Sequence, residues 1–181
     1  MICLEKSVQD KLQNILSILQ NKFQLVPKRV RAVDGSIKDN IKNCIVSQEC
    51  KVSDYEIACS MSHVLAIKEA YEDGCRYALI SEDDILLDPL HLLFEDFMKT
   101  LSGIHTENNI VQLVSFNGSD MIYPALKWKE CNSSTGMYLI SRKGMEEILN
   151  KLYDFKNNTI NLSKFIKPVA DIIIYESTKT V

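Results

Sequence analysis

The sequence predicts an α/β domain with a mainly parallel sheet flanked by helices, on three observations. Apolar strand-like runs alternate with amphipathic helix-like stretches along the whole chain, the pattern of a sheet covered by helices. The central run, Tyr77-Ala78-Leu79-Ile80, has no polar alternation, as expected of a strand buried on both faces. It ends in Ser81-Glu82-Asp83-Asp84, and carboxylates just past a buried strand lie where open α/β sheets bind ligands.

In order along the chain, Ile2-Cys3-Leu4 reads as the tail of a short first strand. Ser7 then caps an amphipathic helix, with Leu12, Ile15, Leu16 and Leu19 on its apolar face and an end near Asn21. Pro27 breaks that pattern. Arg29 to Val33 reads as a strand, stopped by Asp34-Gly35, a turn pair. Residues 36–52 are polar and irregular and read as loop. Ser53 with Glu56 three positions on is a capping box, opening a helix with Ile57, Met61, Val64, Leu65 and Ala70 inward and Gly74 as its stop. Ser60, Ser62 and His63 fall inside this helix and read as satisfied polar residues on a half-buried face, with a substrate contact as the lesser reading.

After the acids, Asp88-Pro89 caps another helix that carries Leu90, Phe94, Phe97, Met98 and Leu101. Ile110 to Val114 is a strand candidate, and residues 116–129 are irregular around the only tryptophan, Trp128. Gly136 to Ile140 reads as a strand, followed by a helix capped by Ser141 with Met145, Ile148, Leu149 and Leu152 on its apolar face. Residues 156–163 read as loop, and Pro168-Val169-Ala170-Asp171 precedes a last strand-like run, Ile172 to Tyr175.

The 181 residues suffice for one domain with a sizeable core. A net charge of −3 argues against a nucleic-acid partner, whose recognition needs a basic face. No apolar run approaches the ~20 residues of a membrane helix, and no signal peptide opens the chain. The six cysteines are scattered without a Cys-x-x-Cys pair, which fits a reducing, cytoplasmic setting with Cys59 and Cys75 as small packing residues. His63, His91 and His105 have no ligand spacing among themselves, which speaks against zinc.

The acids carry the chemistry. If the chain stays extended, Glu82 and Asp84 share one face and Asp83 points to the other. Three carboxylates so close repel one another unless a cation lies among them, and such hard oxygen donors suit Mg²⁺ or Mn²⁺, which also take phosphate oxygens. The plain alternative is a solvated turn.

In this order the motifs resemble glycosyltransferase family 25, the lipopolysaccharide-biosynthesis and procollagen galactosyltransferase-like group. Ile2-Cys3-Leu4-Glu5-Lys6 looks like the family's opening I-N-L-x-R, and Arg31-Ala32-Val33-Asp34-Gly35 is similar to its R-x-x-A-V-D-G step. Tyr55 to His63 resembles G-E-I-G-C-x-L-S-H, and Ala78 to Asp84 matches x-L-I-x-E-D-D. Thr135 to Gly144 is similar to the later Y-x-I-S-x-x-G segment, and Pro168-Val169-Ala170-Asp171 looks like P-V-D with one residue inserted. The Cys-x-x-Ser-His helix followed by Glu-Asp-Asp is the specific part.

The resemblance implies a GT-A-like nucleotide-sugar-binding fold over a single domain, residues 1–181, truncated at both ends relative to the family. Cys3 stands for the usual Asn, and the chain stops soon after Asp171. It implies inverting, divalent-metal-dependent transfer of galactose or glucose from a UDP-sugar to a glycan or protein-linked hydroxyl. Asp84 and Glu82 would hold Mn²⁺ or Mg²⁺; Asp34, Gly35, Glu82 and Asp83 would line the nucleotide side. Asp171, with Glu56 in reserve, would be the general base that inversion requires. The alternative is a degenerate, non-catalytic binding module, and a phosphorylatable receiver-like domain is a more distant third.

Overall fold

The computed structural model describes residues 2–3, 17, 20–21, 27–84, 108–114, 128 and 134–180. In chain order the elements are β1 (Ile2–Cys3), β2 (Val30–Arg31), α1 (Lys38–Ile41), β3 (Cys44–Ile45), α2 (Asp54–Glu72), β4 (Tyr77–Ser81), β5 (Ile110–Gln112), β6 (Met137–Ser141), α3 (Arg142–Leu152), β7 (Tyr153–Asp154), β8 (Thr159–Asn161) and α4 (Ala170–Tyr175). Of the expected helix ending near Asn21, only Ser17, Gln20 and Asn21 are described, and all three are helical. The helix expected from Pro89 lies outside the described residues.

The fold is mixed α/β. β1 and β2 pair in parallel, with Ile2 opposite Val30. β6 lies between β4 and β5 and is antiparallel to both, with Leu139 facing Leu79 on one side and Val111 on the other. A parallel bridge between Ile2 and Glu82 joins the two groups, giving the strand order β2-β1-β4-β6-β5. The expected mainly parallel pairing is therefore corrected: both ladders of this three-stranded sheet are antiparallel. An apolar run such as Tyr77–Ile80 reads the same whichever way its neighbour points, so periodicity carried no information on direction.

Helix α2 is the spine. Ser53 accepts from the Glu56 N–H while the Glu56 carboxylate accepts from the Ser53 N–H at 2.7 Å, the reciprocal box its sequence announces. At the other end Gly74 takes φ +76°, a left-handed stop that glycine adopts without a Cβ penalty. The middle of the helix is buried nearly all round, from Ile57 to Ile67, because α3, α4 and β4 all pack on it. That explains its three buried polar groups. Ser60 Oγ donates to the Pro168 carbonyl at 2.7 Å, Ser62 Oγ donates to the Ala58 carbonyl at 2.7 Å, and His63 is paired as described below.

Helix α3 buries the apolar face its sequence lays out, Met145, Ile148, Leu149 and Leu152, each worth ~1.5–3 kcal/mol of transfer free energy. Its Ser141 cap accepts from the Gly144 N–H at 3.1 Å.

Three other expectations change. Residues 36–52 hold α1 and β3 rather than loop alone. Residues 153–161 form a β7–β8 hairpin, turned by Asn158 at φ +54° with Asp154 accepting from the Lys156 N–H at 2.9 Å, and β8 also pairs with β3. Ile172–Tyr175 is helix, not strand. Ala170, Ile173 and Ile174 bury at i, i+3 and i+4 against α2, and that packing outweighs the β-preference of branched residues.

Candidate functional site

The site forms where the end of β4 meets one face of α2. Cys59 and His63 are four residues apart on that helix and therefore neighbours on its surface. Glu82 follows β4 directly. Its N–H donates to the Gly136 carbonyl at 2.9 Å, and its bridge to Ile2 holds the other side, so its backbone is fixed by the sheet.

The Glu82 carboxylate is fixed as well. Oε1 accepts from Thr135 Oγ1 at 2.9 Å and from His63 Nε2 at 3.2 Å. With the proton on Nε2, His63 Nδ1 accepts from the Tyr138 hydroxyl at 3.1 Å. Tyr138 then meets Tyr175 edge-on, ring centroids 5.9 Å apart, and the Tyr175 hydroxyl donates to the Ser134 carbonyl at 2.8 Å. Trp128 closes this row, its ring 5.4 Å from Tyr175, and so acts as packing. Every buried polar side chain in the row has a partner.

The electrostatics follow from that geometry. The His63 hydrogen bond is the main cause holding the Glu82 carboxyl below the ordinary glutamate range, against a desolvation that pushes it up. Complete burial drives the Tyr138 hydroxyl well above its ordinary value. The Cys59 thiol is pushed up to about 12, first by burial and then by the fields of Glu82, Asp171, Asp84 and Glu56. Four of the expected site acids, from three separate stretches of chain, thus act through their fields on one thiol, and of these Glu82 lies beside it.

They do so in different states. Asp84 is exposed on the turn after β4, Asp83 is half-buried beside it, and Asp171 is half-buried in the first turn of α4. Glu56 is held in the α2 capping box, and its two bonds from Ser53 lower its pKa. Asp34 Oδ1 accepts from the Ser36 N–H at 2.9 Å and its hydroxyl at 2.6 Å, the bonds of a local turn. Gly35 is buried against the first turn of α2, where an added Cβ would lie 2.7 Å from Tyr55 Cα. The Val33 N–H donates to Ser62 Oγ at 2.9 Å, so the Asp34-Gly35 corner is tied to α2.

The donor set suits a hard divalent cation: Asp84 offers an exposed carboxylate one residue beyond Asp83, and Glu82 places its charge at the strand end. The sequence gives Thr135 and Tyr138 no site role, makes Cys59 a packing residue, and makes His63 a satisfied polar residue with substrate contact as the lesser reading. The Cys-x-x-x-His spacing within a helix was the available signal, since it puts a thiol and an imidazole side by side.

A family model described as glycosyltransferase family 25 (LPS biosynthesis protein) matches residues 1–166. It therefore spans α2, β4 and the acids and ends before α4, so Asp171 lies beyond it. Comparison with curated proteins gives no match.

Proposed function

This chain belongs to glycosyltransferase family 25, and from that premise we propose that it transfers a hexose, galactose or glucose, from a UDP-sugar to a hydroxyl of a glycan or protein-linked acceptor. Transfer is inverting, depends on Mn²⁺ or Mg²⁺, takes place in the cytoplasm and uses a GT-A-like nucleotide site. The observation that carries the reading is the family match, together with the acids at the end of β4: Glu82 held by Thr135 and His63, and Asp84 exposed two residues on.

Departure of UDP concentrates negative charge on a diphosphate. Asp84 with Glu82 would hold a divalent cation, which would supply Lewis-acid stabilisation of that charge. Of the chain's own groups, Asp84 is the accessible donor, because Glu82 Oε1 already accepts from Thr135 and His63. Those two bonds keep the Glu82 carboxylate ionised and oriented. Asp83 and the Asp34-Gly35 corner take the nucleoside side. Asp171 accepts the proton of the acceptor hydroxyl; Glu56 is less suited, since Ser53 engages its carboxylate and lowers its basicity. The fixed relay behind Glu82 holds the acid on the strand end without spending substrate binding energy on ordering it.

The test is donor hydrolysis and transfer screened across UDP-sugars, with and without Mn²⁺, together with calorimetric titration of UDP plus Mn²⁺. Metal-dependent turnover of one UDP-hexose is expected. No turnover and no UDP binding would replace this reading with the degenerate, non-catalytic module.

A further inference from the structure

The cluster at the head of the relay has a composition that sugar transfer does not use. Cys59 Sγ, a His63 ring nitrogen and a Glu82 carboxylate oxygen all lie within 4.8 Å of one another. We propose that Cys59, His63 and Glu82 form a binding site for a soft-to-borderline divalent ion of the zinc class, which shares Glu82 with the oxygen donors at Asp84 and differs from them by its thiol and imidazole.

The geometry needs little change. Tetrahedral zinc sites have bonds of about 2.0–2.3 Å to N, O and S. The His63 and Glu82 donor atoms are already 3.2 Å apart, a separation that an ion between them can span. Cys59 and His63 are presented by one turn of a rigid helix, the i, i+4 placement that puts two ligands on one face.

The surrounding groups suit the same ion. When Nε2 coordinates, its proton moves to Nδ1 and is donated to the Tyr138 hydroxyl oxygen, 3.1 Å away, the outer partner that metal-bound imidazoles require. Thr135 fixes the carboxylate in the same way at 2.9 Å. Binding converts the Cys59 thiol to a thiolate and releases its proton to solvent, leaving an S–metal bond. One thiolate and one carboxylate then neutralise the dication in a partly buried place, where an uncompensated charge is costly. The fields of Asp171, Asp84 and Glu56 at the thiol favour a cation there too. Thiolate ligation selects zinc-class ions over Mg²⁺ and Mn²⁺, and three protein donors leave a fourth position open. This inference does not rest on the proposed sugar transfer.

The test titrates the full chain with Co²⁺ as a spectroscopic stand-in, followed by displacement with Zn²⁺. Expected is a thiolate-to-cobalt charge-transfer band that saturates at one equivalent, disappears on adding Zn²⁺ and is absent in Cys59→Ser. Tyr138→Phe should weaken Co²⁺ binding about 10–100-fold, the usual effect of losing an outer partner. A wild-type titration without the band, or a full band in Cys59→Ser, overturns the site. X-ray absorption of the zinc-loaded wild type needs no variant: one sulfur near 2.3 Å with nitrogen and oxygen supports it. A shell of nitrogen and oxygen alone, or one with several sulfurs, overturns it.

Discussion

His63 Nε2 stands 3.2 Å from Glu82 Oε1 while its Nδ1 stands 3.1 Å from the Tyr138 hydroxyl, so one buried ring links the acid at the end of β4 to the aromatic core. His63 is 1% exposed and Tyr138 is fully buried, so neither can exchange its partner for water. Tyr138→Phe removes one O–H and leaves Nδ1 without a donor. An unsatisfied buried group costs about 1–3 kcal/mol. The denaturation midpoint of metal-free Tyr138→Phe should fall accordingly with an unchanged slope; an unchanged midpoint would show that the hydroxyl is not bonded there.

The capping box of α2 makes a pH prediction. Ser53→Ala should cost about 1 kcal/mol, the usual worth of an N-cap. The Glu56 carboxyl is lowered in the folded state by its bonds from Ser53. As pH falls, the unfolded chain takes up this proton first, so the contribution is complete above the ordinary value of 4.5 and is lost as pH falls below it through the folded value. Glu56→Gln should flatten that part of the stability curve. Thermal melts of both proteins from neutral pH down to about 3 would show the difference, and parallel curves would refute it.

Gly35 needs its missing side chain for space. A Cβ would lie 2.7 Å from Tyr55 Cα and 2.8 Å from the Asp54 carbonyl oxygen, both backbone atoms. Gly35→Ala should therefore destabilise by about 1–3 kcal/mol, as overpacking does. If Asp34 lines the nucleotide, this variant should also weaken UDP binding. Full stability would mean that the corner yields easily.

Asp171→Asn tests the assignment of the base. The amide keeps the shape of the carboxylate at the first turn of α4 but cannot accept the acceptor's proton. Transfer kcat should fall about 10²–10⁴-fold with donor KM little changed and with an unaltered melting temperature. A variant with near-wild-type kcat would move the base elsewhere.

Much of this architecture was legible before any coordinates. The Ser53–Glu56 box, the Gly74 stop and the α3 face all follow from local pattern, and each appears where its residues place it. The β4 run is a strand as expected but is not buried on both faces: Tyr77 is exposed, Ala78 and Leu79 are half-buried, and only Ile80 and Ser81 are buried. What local pattern could not carry was pairing. The antiparallel β6 between β4 and β5 depends on partners distant in sequence, and so does the β3–β8 pairing. Ile172–Tyr175 was misread because a triple isoleucine favours strand until α2 offers it a helical face to bury. At the site the acids were visible as a cluster, whereas the Thr135 and Tyr138 partners come from beyond residue 130 and only folding brings them to Glu82 and His63.

The most direct measurement of the central claim is the initial rate of UDP-sugar turnover against Mn²⁺ concentration for wild type and Asp84→Ala. The account predicts a saturable metal dependence in wild type and loss of metal-stimulated turnover in the variant, with the melting temperature unchanged because Asp84 is exposed. An Asp84→Ala protein that turned over donor at the wild-type rate, with the same metal dependence, would contradict it.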